Sequence, residues 1–178
     1  MILVYDFETT GLTLHPDAPL DKQPRALEFG GALLDAKGRV VEEHSFLINP
    51  EQDFDHAITR ITGLTYADVA GAATFQMVLP RLRTLFSKAT VMVAHNLPFD
   101  KAILMHELGR LGATDFPWPA AGICTVGLYH EVFGARPKLT ALYARVMGKP
   151  LEQTHRAMDD VHALVEIIQK DKLWKLIL

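Results

Sequence analysis

Four acids and one histidine stand in three short contexts along the chain: Asp6-Phe7-Glu8, Asn96-(x)3-Asp100 and His155-(x)4-Asp160. Clustered without cations, the carboxylates would repel one another, raise some of their pKa values and cost stability. Magnesium or manganese removes that objection. Such hard ions take oxygen ligands, and a pair held about 3.5–4 Å apart can activate a water and stabilise the leaving oxygen of an in-line phosphoryl displacement. A nearby histidine can accept the water's proton at neutral pH. These residue types point to a hydrolase acting on a phosphodiester beside two divalent cations.

Each acid has a local argument. Asp6 and Glu8, two apart on a strand, leave the same face near the end of a buried run. Taken alone, so short a pattern favours a strand that ends at Tyr5, with both acids in water. On a helical wheel Asp100 lies roughly 40° from Leu104 and 20° from Leu111, on the face expected to pack inward, where a carboxylate must have a partner. It also sits in a first helical turn, so stabilisation of the helix end accounts for it equally well. In the last helix Ala157, Val161, Leu164 and Ile168 share a stripe. Asp160 lies roughly 60° from its centre and Asp159 roughly 160°. Asp160 is therefore assigned to the site and Asp159 to the solvated face. His155 comes just before that helix, on a mobile segment.

The elements that must position these groups can be read from pattern. Residues 2 to 7 are almost continuously apolar, as in a strand buried between two layers. A loop from Thr13 to Pro24 contains Pro16, Pro19 and Pro24 and is expected to be an irregular surface excursion. Arg25 to Leu34 and Arg39 to Ile48 read as strands joined through Asp35-Ala36-Lys37-Gly38, where glycine can take the positive φ of a tight turn. Thr74 is placed to cap a helix whose apolar face is Val78, Leu82, Leu85 and Phe86. A short strand from Thr90 to Ala94 follows, and Asn96 then resembles an N-cap, with Pro98 in the first turn of a helix running through Leu104, Leu108 and Leu111. Further helices are expected over Thr125 to Phe133, Leu139 to Met147 and Arg156 to about Lys170. The pattern predicts an α/β fold: a mixed sheet whose first three strands are antiparallel, with helices on its faces.

The 178 residues suit one domain spanning 1–178. No apolar run approaches the ~20 residues needed to cross a bilayer, so no membrane partner is expected. The first residues read as a strand rather than a secretion leader, which makes the cytoplasm the default location. The single cysteine, Cys124, lies among apolar neighbours and is given no catalytic role. With 18 Lys plus Arg against 21 Asp plus Glu, the chain lacks the positive field of a protein that grips long duplex through phosphate contacts. A nucleic-acid substrate would be held locally, by a short end, with bound metal supplying much of the positive charge.

Together, Asp6-Phe7-Glu8-Thr9-Thr10-Gly11-Leu12, His95-Asn96-Leu97-Pro98-Phe99-Asp100 and His155-Arg156-Ala157-Met158-Asp159-Asp160 resemble the three motifs of the DEDDh, or DnaQ-like, 3′-to-5′ exonucleases. The similarity takes in Leu27-Glu28-Phe29-Gly30, Ile61-Thr62-Gly63-Leu64 and Lys138-Leu139-(x)2-Leu142, and so covers essentially the whole chain. The resemblance implies a ribonuclease H-like fold with helices on both faces. It further implies that Asp6, Glu8, Asp100 and Asp160 hold the metals and that His155 is the general base. Backbone around Thr9, Thr10 and Gly11 would meet the terminal nucleotide, Leu12 would wedge against its base, and Thr62, Asn96 and Phe99 would line the approach. On physical grounds alone Leu12 and Phe99 fit a core equally, Asn96 a helix cap and Thr62 a turn. The chain departs from the family in its longer loop after Leu12 and in Cys124, where an Asp is more typical.

The expectation is a metal-dependent 3′-to-5′ exonuclease that releases nucleoside 5′-monophosphates from single-stranded or frayed DNA ends. An exoribonuclease of the same family is the nearest rival and a non-catalytic nucleic-acid-binding module the more distant one. The end at Leu178, soon after the last helix, disfavours a polymerase-bound proofreading subunit.

Overall fold

In the computed structural model, which describes residues 1–177, the first strand β1 (Ile2–Thr9) sends alternate side chains to opposite faces of a sheet. Leu3, Tyr5 and Phe7 enter one apolar core, while Ile2 and Val4 enter a second. β2 (Ala26–Leu34) and β3 (Val40–Leu47) follow as an antiparallel hairpin. Its turn is set by the Asp35 side chain, which accepts from the Lys37 and Arg39 N–H groups at 2.8 and 2.9 Å, and by Gly38 at φ 74°. A side chain at Gly38 would be doubly penalised, because a Cβ there would also meet the Trp174 ring at 2.7 Å.

The remaining elements are α1 (His56–Thr62), α2 (Tyr66–Val69), α3 (Phe75–Ser87), β4 (Val91–Ala94), α4 (Leu97–Arg110), β5 (Ala121–Cys124), α5 (Thr125–Leu128), α6 (His130–Phe133), α7 (Leu139–Met147), α8 (Ala157–Lys170) and α9 (Trp174–Ile177). Strand order is β3-β2-β1-β4-β5. The β1–β2 and β2–β3 pairs are antiparallel, and β4 and β5 join in parallel. The three leading antiparallel strands agree with the sequence reading, as do the helices on both faces. α3 and α4 pack on the Tyr5 side through Leu82, Phe86, Ile103 and Leu104. On the Val4 side, α7 and α8 pack through Leu142, Val161, Leu164 and Ile168. Each of those apolar side chains contributes about 1.5–3 kcal/mol by burial. Among the described residues, no helix is long and apolar enough to cross a membrane.

Four local expectations need correction. The helix expected over Thr125 to Phe133 breaks at Tyr129, whose φ −98°, ψ 4° separates α5 from α6; Gly127, a weak helix former, lies just before the break. Leu111 lies beyond the end of α4 and is 39% exposed, because the chain is already turning toward Gly112 at φ 62°. Thr74 does precede α3, but its side chain caps nothing; its backbone bridges to Asn49 instead. Finally, β1 does not end at Tyr5, so Asp6 and Glu8 are strand residues.

The proline-containing segment 13–24 is irregular, as expected, but it is bonded across itself and pinned to α4. The Gln23 side chain is buried and bonds Leu14 N–H and the His15 carbonyl, both at 3.0 Å. Arg110 of α4 donates to the carbonyls of Leu20, Gln23 and Pro24 at 2.6, 2.7 and 3.3 Å.

Candidate active site

Strand register decides what faces Asp6 and Glu8. Asp6 pairs with Gly30 and Glu8 with Glu28, so two acids stand side by side across the ladder, a destabilising arrangement unless countered. Arg156 counters it. Its guanidinium grips the buried Glu28 carboxylate through two hydrogen bonds of 2.9 and 2.8 Å, and the Ala157 N–H donates to the same carboxylate at 3.2 Å. Glu28 thereby takes a free donor at the start of α8, where a negative charge is also favoured by the helix dipole. Beside it, α8 comes so close to β2 that only glycine fits. A Cβ on Gly30 would lie 2.6 Å from the Ala157 carbonyl carbon and 2.7 Å from Met158 N.

This seat carries Asp160, one turn into α8, to the β1 acids. Carboxylate oxygens of Asp6, Glu8 and Asp160 lie within 4.8 Å of one another. Asp159 on the opposite side of the helix is exposed. Asp100 arrives from the other edge of β1. The β1–β4 ladder stops at the Val4–Val93 pair, leaving the outer edge of β1 free beyond it. Asp100, only 2% exposed in the first turn of α4, fills that gap by accepting from Phe7 N–H at 3.1 Å.

These carboxylates are held far from their ordinary acidity. Burial, then the charges of Asp100, Glu8 and Asp160, pushes Asp6 well up. Burial and Asp160 raise Glu8 to about 8. Burial raises Asp100 to about 7 against the opposing Phe7 hydrogen bond. Asp160 is also raised by burial, although Gln153 donates to it at 2.8 Å. A set of hard oxygen donors that is partly protonated for want of positive charge fits a divalent cation.

The sign of the pH effect follows. In metal-free protein Glu8 and Asp100 retain protons up to about 8 and about 7, whereas unfolded carboxyls release theirs near pH ~4. The folded state then binds more protons than the unfolded chain, so stability is highest below about pH 4 as far as these groups are concerned. It is lost as pH rises through that window. In EDTA the melting temperature should fall by roughly 5 °C or more between pH 5 and pH 8. Magnesium should restore it at pH 8 and do little at pH 5. A pH-independent melt in EDTA would refute this picture.

His155 lies in the segment before α8 with φ 52°, a left-handed conformation that a non-glycine residue adopts at a cost of about 1 kcal/mol or more. It lines a cavity of about 690 Å³ together with Asp6, Asp100 and Asp160. The other sequence-selected residues surround the same region. Leu12 is 80% exposed, which rules out a place in the core, and it borders both this cavity and a smaller one of about 310 Å³. Gly11, Thr62 and Phe99 line the smaller one. Thr9 is buried and donates to the Gly11 carbonyl at 2.7 Å; Thr10 accepts from Arg25 N–H at 2.9 Å. The Thr62 hydroxyl is engaged within its own turn, donating to Ile58 O at 3.0 Å and accepting from Leu64 N–H at 3.1 Å. Asn96 precedes α4 without capping it, because its side-chain oxygen accepts from Arg136 at 3.1 Å. Cys124 is partly buried against the Tyr5-side core.

The supporting residues Glu28, Gly30, Arg156, Gln153 and His95 receive no role from the sequence. Glu28 carried a usable signal, a lone charge in an otherwise apolar strand. The others are meaningful only once register and the α8 approach are known.

A family model described as Exonuclease matches residues 3–168. A Mycobacterium tuberculosis protein named as a bifunctional exonuclease/endonuclease is 35% identical over 171 residues, covering 93% of this chain and 25% of that protein. The DNA polymerase III subunit epsilon of Rickettsia prowazekii is 29% identical over 171 residues, covering 93% of this chain and 71% of the subunit. The chain thus spans a quarter of the length of the first relative. Among solved structures, the nuclease domain of 3′hExo, a DEDDh family member bound to rAMP, superposes with a TM-score of 0.74 at 18% identity, covering 98% of this chain and 91% of that one.

Proposed function

Because the chain belongs to the exonuclease family, we propose that it is a 3′-to-5′ exonuclease dependent on two magnesium or manganese ions, with residues 1–178 acting as one exonuclease domain. The observation that carries this reading is the convergence of Asp6, Glu8 and Asp160 oxygens within 4.8 Å of one another, beside a cavity that Asp6, Asp100, His155 and Asp160 line. Asp6, Glu8 and Asp160 would hold metal directly, and Asp100 would help to hold the second ion, directly or through water. When bound, such ions supply Lewis acidity toward water and neutralise charge on the phosphodiester.

The chain's own groups do the rest. His155 accepts the proton of the attacking water, and its position on the rim, outside the buried carboxylate set, keeps it in contact with solvent. Glu28 and Arg156 keep the start of α8 against β2, so that the distance between Asp160 and Asp6 is set by backbone packing. Gly11 leaves open space where a side chain would stand. Leu12 and Phe99 offer apolar surface to a terminal base, while Asn96 and Thr62 border the approach. The resemblance of the whole site to enzymes of this class supports release of nucleoside 5′-monophosphates from single-stranded or frayed ends. DNA is the favoured polymer, supported by the polymerase III relative, and the cytoplasm is the setting that goes with it. RNA is the second reading, favoured by the neighbour bound to rAMP.

A time course on 3′-labelled and 5′-labelled DNA and RNA strands tests polarity and sugar preference together. We expect 3′-labelled DNA to lose its label as mononucleotide at once and 5′-labelled DNA to shorten stepwise, with RNA cut at least about tenfold more slowly. Internal cleavage products, or no release with either polymer in magnesium and manganese, would sink the proposal.

A further inference from the structure

The cavity lined by Asp6, Asp100 and Asp160 is also lined by a short basic segment that the reading above leaves without a role. Arg136 and Lys138 flank the buried Pro137 in the connection between α6 and α7, and both side chains are exposed on the cavity wall. Five other arginines, Arg25, Arg39, Arg83, Arg110 and Arg156, pair with carboxylates. Among the described residues, Arg136 and Lys138 pair with none. Arg136 spends one hydrogen bond on the Asn96 side chain, leaving most of its five donors free.

The segment is held in place by the residues leading into α4. His95 Nε2 lies 3.1 Å from the Pro137 carbonyl, which can only accept, so the proton is on Nε2. Its Nδ1 then accepts from the buried Thr125 hydroxyl at 3.0 Å. Burial holds His95 below the ordinary histidine pKa, in keeping with this neutral form. Consecutive residues His95 and Asn96 thus clasp consecutive residues Pro137 and Arg136. The clasp joins the end of β4, which also leads to Asp100, to the two free cations. A protein with net charge −3 places two cations without acid partners on the wall of the cavity that Asp6, Asp100 and Asp160 line. Free anions of a polymer are the partners such donors can recognise there, and an arginine fork suits phosphate oxygens.

We propose that Arg136 and Lys138 form a phosphate subsite for the strand upstream of the scissile linkage, fixed by the His95–Asn96 clasp. The proposal rests on the exonuclease reading for the direction of the strand and on the cavity wall for the subsite itself. It makes the protein favour a substrate with at least one phosphodiester beyond the one it cuts.

The test compares Arg136→Ala, Lys138→Ala and the double variant on two substrates. One is a decathymidylate; the other is thymidine 5′-(p-nitrophenyl phosphate), which has a single phosphodiester and nothing upstream. On the decamer we expect KM to rise roughly five- to tenfold per substitution with little change in kcat. That loss should exceed the loss on the p-nitrophenyl ester at least fivefold. The log–log dependence of decamer binding on salt, read by anisotropy in calcium, should become shallower by about 0.7 per lost contact. Arg136→Lys should recover part of the decamer affinity. Equal losses on both substrates, or unchanged decamer KM and salt slope, would overturn the subsite. Salt-dependent decamer binding that the variants weaken, in a wild-type protein that hydrolyses neither substrate, would uphold the subsite and count against the nuclease reading instead.

Discussion

Replacing Asp160 or Asp6 by Asn should lower mononucleotide release by about 10³-fold or more while raising the melting temperature of the metal-free protein at pH 8. The two effects have one cause. Each substitution keeps the shape of the side chain and removes one negative charge from a cluster whose carboxyls are all pushed upward by burial, Asp6, Glu8 and Asp100 also by other members of the cluster. Without metal, that change relieves repulsion. With metal, it removes a charged oxygen ligand on which positioning of the ions depends, and a loss of several kcal/mol of transition-state stabilisation gives the factor stated. The opposed movements distinguish a functional cluster from a structural one, since an acid retained for stability would leave the variant less stable. Chromatographic assay of mononucleotides, with thermal melts in EDTA and in magnesium, reads both. Full activity in either variant, or a fall of several degrees in EDTA for both, would contradict the assignment.

Gly30→Ala should be nearly as damaging, although residue 30 bears no chemical group. The added methyl would stand 2.6–2.7 Å from Ala157 C and O and Met158 N, all backbone atoms that no side-chain rotation can move aside. The first turn of α8 must therefore retreat from β2. Such overpacking costs about 3 kcal/mol. The same displacement draws Asp160 away from Asp6 and Glu8 and loosens the Glu28–Arg156 pair, and misplacement by about 1 Å can cost roughly 10²-fold in rate. Magnesium affinity, from titration calorimetry, should weaken in step with turnover. Gly71→Ala is the control: its methyl would meet nothing within 4 Å, so stability and turnover should both hold. Wild-type turnover in Gly30→Ala would show that α8 can shift without moving the site.

These two expectations locate the vulnerability of the site. Its acids come from β1, α4 and α8, and the contacts that bring them together involve β2, which contributes no proposed ligand. A screen confined to the four proposed ligands would miss Glu28, whose buried carboxylate holds both Arg156 and the Ala157 N–H.

Much of this was legible in the sequence because it depends on short-range periodicity. Alternation made Asp6 and Glu8 share a face, and helical spacing put Asp160 beside the apolar stripe of α8 and Asp159 in solvent. Local pattern also marked the leading hairpin and the boundaries of α7. It was weaker where a neighbour competes for a side chain: Asn96 looks like a cap but bonds Arg136, and Leu111 looks buried by its angle but lies past the end of its helix. Residue types and local periodicity were enough to pick out the groups that could do chemistry and the way each points along its own element. How near those groups come is a matter of packing, because distances across elements depend on register and close approach. Gly30 opposite Asp6, Glu28 gripping Arg156, Asp100 on the free edge of β1 and His95 against Pro137 are contacts between segments far apart in the chain, and no local period encodes them.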